Sequence, residues 1–467
     1  YIPSVTAIGH SSVWTGSVPS IHGIAGNAFV KDGKIVNCVG DNTVKPVGSD
    51  GKAGYMSPRN LWVTTIGDEL RLATNNRSKV VGVALKDRAA ILPAGHHANG
   101  AYWFDYKAGR FITSTFYMDK LPEWVNKFNK RKLAEKYLSQ KWKTLYPIDT
   151  YQQSTADANN YENGIVDGEK AQLPLDLAAL YKKHGYKIIR NTPFGCNLTF
   201  DIAKAAIEGE NLGKNTDTDL LTISCSSTDY IGHQVGVNAV ETEDCYLRLD
   251  QALADFFAYL DKTIGKGNYL TFLTADHGAV NNAAFLQDQR IPAGIWNGKS
   301  MVKELNQELK AKFNTDKDLV MTIMNYQVFF NTATIEEAGL DYAAVKQVVV
   351  NRLKKEKIVH YAFDMEKTST ESIPEQLKFR AINGYNRERS GGVQIVLKPA
   401  HYEYDVAKGT SHGAWNPYDI HIPLVFMGWH IQHGATTQPH YMTDIAATVS
   451  ALLHIQAPNG CIGTPIF

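Results

Sequence analysis

Apolar residues along the chain fall into two rhythms. At 80–85 (VVGVAL), 220–226 (LLTISCS), 269–274 (YLTFLT) and 422–428 (IPLVFMG) they form short, nearly uninterrupted runs. Runs of this length mark strands buried on both faces. Elsewhere apolar positions recur every three or four residues, which predicts helices over 60–74, 240–264 and 444–454. Residues 7–15, closed by Gly16, predict another, and 121–142, with aromatics set among lysines, reads as an exposed amphipathic helix. Strands alternating with helices imply an α/β fold with a predominantly parallel sheet covered on both faces. Between 280 and 410 that rhythm breaks. Helices near 300–313 and 343–355, β-rich 319–331 and a strand at 391–398 predict an inserted α+β subdomain. The α/β core would then comprise 1–279 and 411–467, with a surface insertion over about 100–170 whose polar end, 149–170, is rich in Asn, Asp and Gln.

Composition narrows the function classes. With 467 residues and 44% hydrophobic content the chain can bury a large core. Its 48 Lys+Arg against 47 Asp+Glu leave no basic excess of the kind that binds nucleic acid, so recognition of an anion must be local. No stretch approaches the ~20 apolar residues needed to span a bilayer. Five cysteines lie far apart with no CxxC pair, which argues against a thiolate zinc site, and their odd number leaves at least one thiol unpaired. The opening YIPSVTAIGH reads as the interior of a domain, so upstream sequence, including a signal peptide, is expected to be missing.

In open α/β sheets functional groups sit at the carboxyl ends of strands. Strand 220–226 runs into SSTDYIGH, where Asp229 and His233 at i, i+4 share a helical face. Strand 269–274 runs into ADHG, with Asp276 beside His277, and GTSHGAWNP sets His412 just before strand 422–428. Taken singly, each reads as a cap or surface group. As a set, nitrogen and oxygen ligands on three strand-end loops suit divalent zinc. Thr6 on its own reads as a helix N-cap, and Asn27 as a turn residue. Lys86, Asp87 and Arg88 follow strand 80–85, from which alternate side chains could reach one site, though alone they read as a solvated charge run.

The segments VTAIGHSSVWTGSVPSIHGIAGN, LKDRAAILPAG, SSTDYIGH, TADHGA, GTSHGAWNP, TDIAATVSALL and PNGCIG, in this order, resemble the alkaline-phosphatase superfamily. Within it the chain is similar to the monomeric bacterial alkaline phosphatases with a threonine nucleophile. The resemblance implies a three-layer αβα sandwich with inserted cap segments and a site holding two Zn2+. Thr6 would be the nucleophile. Asp229, His233 and His412 would hold one zinc, and Asp276 and His277 the other beside Thr6. Asn27, Lys86 and Arg88 would contact phosphate. A threonine hydroxyl is a poor nucleophile until a metal or base stabilises its alkoxide, and a helix N-terminus favours an anionic phosphoryl group. Arg and Lys together suit the extra charge of a monoester dianion.

The expected reaction is hydrolysis of small-molecule phosphate monoesters by two in-line displacements through phosphothreonine, with inorganic phosphate as product. A phosphodiesterase or nucleotide pyrophosphatase is the alternative within the superfamily. A sulfatase is disfavoured, because no C/S-x-P-x-R segment exists. Family members carry one more ligand, an aspartate ending the first strand, expected upstream of Tyr1. Were it truly absent, a non-catalytic metal- or phosphate-binding protein would be the reading. The resemblance further implies a monomer exported to the periplasm or the exterior.

Overall fold

The computed structural model describes residues 1–166 and 168–467. The chain divides into two compact units, each assembled from separate segments. One comprises Tyr1–Gly9, Val18–Cys38 and Asp276–Ile422; the other comprises His10–Ser17, Val39–Ala275 and Pro423–Phe467.

The second unit is organised by the strand Val80–Ala84, fully buried along its length. It pairs in parallel with Gly100–Asp105 on one side and Leu220–Ser224 on the other. Arg110–Ser114 and Pro46–Val47 extend the five-stranded sheet antiparallel beyond Gly100–Asp105. Side chains of a strand alternate between faces, and here both faces are covered. Val81, Val83 and Leu85 join a core with Leu198, Ile202 and Ala203 of the helix Phe194–Glu210. On the opposite face, a Cβ on Gly82 would collide with the Ala90 carbonyl and Ala94 Cβ of the helix Asp87–Ala94. Helix, sheet and helix thus form three layers.

Leu270–Thr274 pairs antiparallel with Leu424–Gly428. The sheets of this unit are therefore mixed, and the run at 422–428 does not join a parallel set. A long excursion, 276–422, separates these strands, so no strand–helix–strand crossover forces them parallel. Their Phe272, Leu424 and Phe426 pack with Val13, Trp14, Ile445 and Val449.

The other unit holds an antiparallel four-stranded sheet in the order Val320–Met324, Gln327–Phe330, Val393–Leu397, Val359–Asp364. The helices Gly298–Phe313 and Tyr342–Leu353 supply Met301, Leu305, Leu309, Val345 and Val349 to its core. Asn325 and Tyr326 turn the first hairpin with φ of 55° and 57°, the pair of positive values a type I′ turn demands.

The expected helix at 60–74 starts only at Ile66, where Thr65 and Asp68 form a capping box. The expected helix at 121–142 is two, Glu123–Lys130 and Leu133–Leu138, broken at Lys132 with φ 51°. Buried Val125, Phe128 and Leu138 make the pair part of the core rather than an exposed face.

Candidate active site

Thr6 is the first residue of the helix Thr6–Thr15 and is buried. One turn on, a Cβ on Gly9 would lie 2.5 Å from the Asp276 carbonyl oxygen, so the absence of a side chain lets this helix lie directly against Asp276. Thr6 Oγ1 stands 3.5 Å from His277 Nε2, and Asp276 Oδ2 stands 3.5 Å from the same nitrogen. The Ala7 N–H donates to Asn27 Oδ1 at 3.0 Å, which fixes the amide with its Nδ2 as the donating end.

His277 and His412 stack face to face, with ring centroids 3.5 Å apart and planes 12° from parallel. His277 Nδ1 lies 2.9 Å from the Gly278 carbonyl and His412 Nδ1 2.8 Å from the Ser4 carbonyl. A carbonyl only accepts, so both Nδ1 atoms carry the proton and each neutral ring presents its Nε2 lone pair. This second-sphere arrangement orients histidines that ligate metals. Imidazole, carboxylate and hydroxyl therefore come together around His277 Nε2 as a donor set suited to zinc. Asp419, on the segment following His412, is buried, and burial pushes its carboxyl up to about 7.

In the other unit, Lys86 caps the helix Asp87–Ala94 and Arg88 lies in its first turn. The strand ends at Ala84, so the two cations sit on a strand-to-helix turn rather than on alternating strand positions. Lys86 is buried, with Nζ 2.5 Å from Asp229 Oδ2. The Arg88 guanidinium is 3.6 Å from Asp87. Asp229 and His233 occupy one face of the helix Ser227–Val235 as the i, i+4 spacing predicts, with Asp229 Oδ1 3.3 Å from His233 Nε2. A carboxylate and an imidazole so placed fit two ligands of a divalent ion. Between them in sequence, the Tyr230 ring carries Lys86 Nζ and the Arg190 guanidinium, each 4.6 Å from its centroid.

Sequence reasoning assigned no role to Tyr230, Arg190 or Asp419. Tyr230 and Asp419 lie inside or beside motifs already singled out, so proximity to SSTDYIGH and GAWNP was the available signal. Arg190 carried none.

Residues 1–419 match the type I phosphodiesterase / nucleotide pyrophosphatase family. Alkaline phosphatase PafA of Elizabethkingia meningoseptica is 50% identical over 471 residues, covering 100% of this chain and 86% of the relative. The chain belongs to the alkaline phosphatases of this family. Alkaline phosphatase PhoV of Synechococcus elongatus is 50% identical over 478 residues, spanning 100% of this alkaline phosphatase and 84% of PhoV. A Myroides odoratus protein named a calcium-transporting ATPase is 51% identical over 471 residues, with coverages of 100% and 86%. The crystal structure of PafA matches the alkaline-phosphatase fold described above with a TM-score of 0.97 at 50% identity, over 100% of this chain and 89% of that one. Among the described residues no helix is long and apolar enough to cross a membrane.

Proposed function

We propose that this phosphoric monoester hydrolase transfers the phosphoryl group of small-molecule monoesters to Thr6 and then to water. The observation that carries the reading is the convergence of Thr6 Oγ1 and Asp276 Oδ2 on His277 Nε2 at 3.5 Å each, at the start of a helix. Asp229, His233 and His412 would hold one Zn2+, and Asp276, His277 and Thr6 the other. Bound zinc would supply the Lewis acidity that brings a hydroxyl or water toward ionisation near neutral pH.

Thr6 Oγ forms the new O–P bond as the ester oxygen departs. Water then attacks the phosphothreonine, the Thr6 O–P bond breaks, and inorganic phosphate leaves. Asn27 Nδ2 donates to a phosphoryl oxygen, its Oδ1 being occupied by Ala7. Arg88 offers a planar fork of donors and Lys86 a compact charge, and together they favour a dianionic monoester over a monoanionic diester. A PafA variant with a threonine, an asparagine, a lysine and an arginine replaced supports this set of four. Its first two altered positions are spaced along the chain as Thr6 and Asn27 are, and its last two as Lys86 and Arg88 are.

The same reading includes export to the periplasm or exterior and a monomeric state, both on the strength of the resemblance. It also treats 280–410 as an insertion into an α/β core of 1–279 and 411–467, an assignment favoured by the separate apolar core of its four-stranded sheet.

The deciding measurement compares kcat/KM for an aryl phosphate monoester with that for the matching diester, at one pH and one zinc concentration. Monoester preference by several orders of magnitude is expected. A diester preference would instead place the activity with the phosphodiesterases and pyrophosphatases for which the matching family is named.

A further inference from the structure

Tyr230 lies in the helix Ser227–Val235, one residue after Asp229. Its half-buried ring carries two cations, Lys86 Nζ and the Arg190 guanidinium, each 4.6 Å from the centroid. The same guanidinium lies over the Tyr106 ring, 5.4 Å from its centroid, and Tyr106 packs edge-on against Phe104 with centroids 5.4 Å apart. Phe104 belongs to the buried strand Gly100–Asp105. Arg190 therefore rests on two tyrosine rings, one of which also bears Lys86.

The backbone under this stack is fixed by packing. Arg190 stands in the 3-10 helix Gly185–Asn191, whose Ile188 and Ile189 are fully buried in one core with Ile231 and Val235 of the helix that carries Tyr230. Beside Arg190, Asn191 Nδ2 donates to the Ile165 carbonyl at 2.5 Å, and Thr192 Oγ1 donates to the Ile189 carbonyl at 2.9 Å. Side chains mounted on elements so packed hold the positions that a charged site requires.

Among the described residues no carboxylate pairs with Arg190, and its buried Nε has no hydrogen-bond acceptor. A guanidinium drawn out of water is ordinarily compensated by a carboxylate fork. Here π faces take that place, and the planar guanidinium suits them. A π face attracts a cation without neutralising it. A carboxylate in place of the Tyr230 ring would cancel the charge that Lys86 offers to a phosphoryl dianion. Asp229, the Lys86 partner at 2.5 Å, is also a ligand in the proposed zinc set. The ring thus gives Lys86 a second hold that is independent of that carboxylate.

We propose that Tyr230 and Arg190 are positioning residues for substrate choice, in that Arg190 stacks on the Tyr230 ring and fixes it, and the ring holds the Lys86 ammonium in place with its charge intact. Both act through Lys86 rather than on the phosphoryl group. This deepens the monoesterase reading above and rests on the role given there to Lys86.

A double-mutant cycle on the full chain loaded with Zn2+ tests this, with kcat/KM read for an aryl phosphate monoester and for the matching diester. Tyr230→Leu and Arg190→Met should each lower the monoester value by about 3–30-fold, the range that one cation–π contact carries, and the diester value by less. Tyr230→Phe, which keeps the π face, should recover most of the monoester preference that Tyr230→Leu loses. Calorimetry should show inorganic phosphate bound more weakly by a similar factor in Tyr230→Leu, with zinc content unchanged. In a Lys86→Ala background the losses from Tyr230→Leu and Arg190→Met should shrink to about twofold or less. The proposal is overturned if those losses are as large without Lys86 as with it, if both esters fall equally, or if Tyr230→Leu sheds zinc. Should Tyr230→Leu fail to fold, Arg190→Met carries the same cycle. Lys86→Ala alone separates the two levels. An unchanged ester ratio in that variant removes Lys86 from substrate choice and takes both readings with it, whereas a changed ratio with an additive cycle overturns only the roles of Tyr230 and Arg190.

Discussion

At the scale of single residues, the nucleophile and the two cations make separable demands. Thr6→Ala should lower kcat by ~10³ or more, because no other hydroxyl occupies the start of that helix, while Thr6→Ser should keep a trappable phosphoenzyme. Labelling with a 32P monoester followed by acid quench reads both, and a phosphoenzyme in Thr6→Ala would sink the assignment. Lys86→Ala should lower monoester kcat/KM by about 10–10³ and diester kcat/KM by less. If both fall equally, Lys86 acts by holding Asp229, its partner at 2.5 Å, rather than by choosing substrates. Asp229 and His233 were legible because i, i+4 spacing survives any reasonable helix boundary. Where Lys86 and Arg88 sit was not, since a charged tripeptide after a strand does not reveal whether the chain stays extended or turns into a helix. Asp419 was illegible for another reason, as only burial distinguishes it from an ordinary surface acid.

At the scale of elements, the contact between the helix Thr6–Thr15 and Asp276 has no slack. Gly9→Ala should destabilise the protein by about 1–3 kcal/mol and reduce activity together, since the methyl must displace the Asp276 backbone. Urea unfolding alongside kcat/KM checks it, and an unchanged midpoint with full activity would show that the approach is looser. Elements with a strong period, such as Val240–Leu260, Gly298–Phe313 and Tyr342–Leu353, together with the buried strand Val80–Ala84 and its half-buried neighbour Leu220–Ser224, stood where the pattern put them. The paired strands Gly100–Asp105 and Arg110–Ser114 gave no such signal. Their sequences, GAYWFD and RFITS, mix aromatics with charged ends, and being buried on both faces they lack the alternation that announces a strand. Strand direction is likewise absent from local sequence, which is why Leu424–Gly428 was expected to run parallel.

At the scale of the whole molecule, the two units should answer acid with opposite signs. In the first, His22 is buried and its Nδ1 accepts the Ile24 N–H at 3.0 Å. Burial, helped by the Arg389 charge, lowers it to about 3. The unfolded chain therefore binds the proton first, and stability is lost progressively as pH falls from ~6.5. In the second unit, burial disfavours charge on His96, but its hydrogen bond and attraction to Asp68 outweigh this and raise it. That contribution is full below ~6.5 and disappears as pH rises through the folded value. Asp68, lowered against its burial by His96 and two backbone N–H groups, stays ionised in mild acid. Hydrogen exchange at pH 5 against pH 8 should show segment 18–24 losing protection while 65–73 keeps it. His22→Gln should flatten the first response, and an unchanged profile in that variant would refute the assignment. Chelation of divalent ions should abolish hydrolysis, with Zn2+ restoring it; full activity after exhaustive chelation would remove the metal from the mechanism.

The interleaving of the two units bears on biosynthesis. Synthesis runs from the amino-terminal side, yet one unit lacks its last segment until Ile422 has emerged and the other until the chain has run well past Pro423. The strand Leu270–Thr274 waits some 150 residues for its partner at Leu424–Gly428. Neither unit can close before residue 422 has been made, so the segments synthesised ahead of it must be kept from aggregating until then, and both cores can consolidate only after that point.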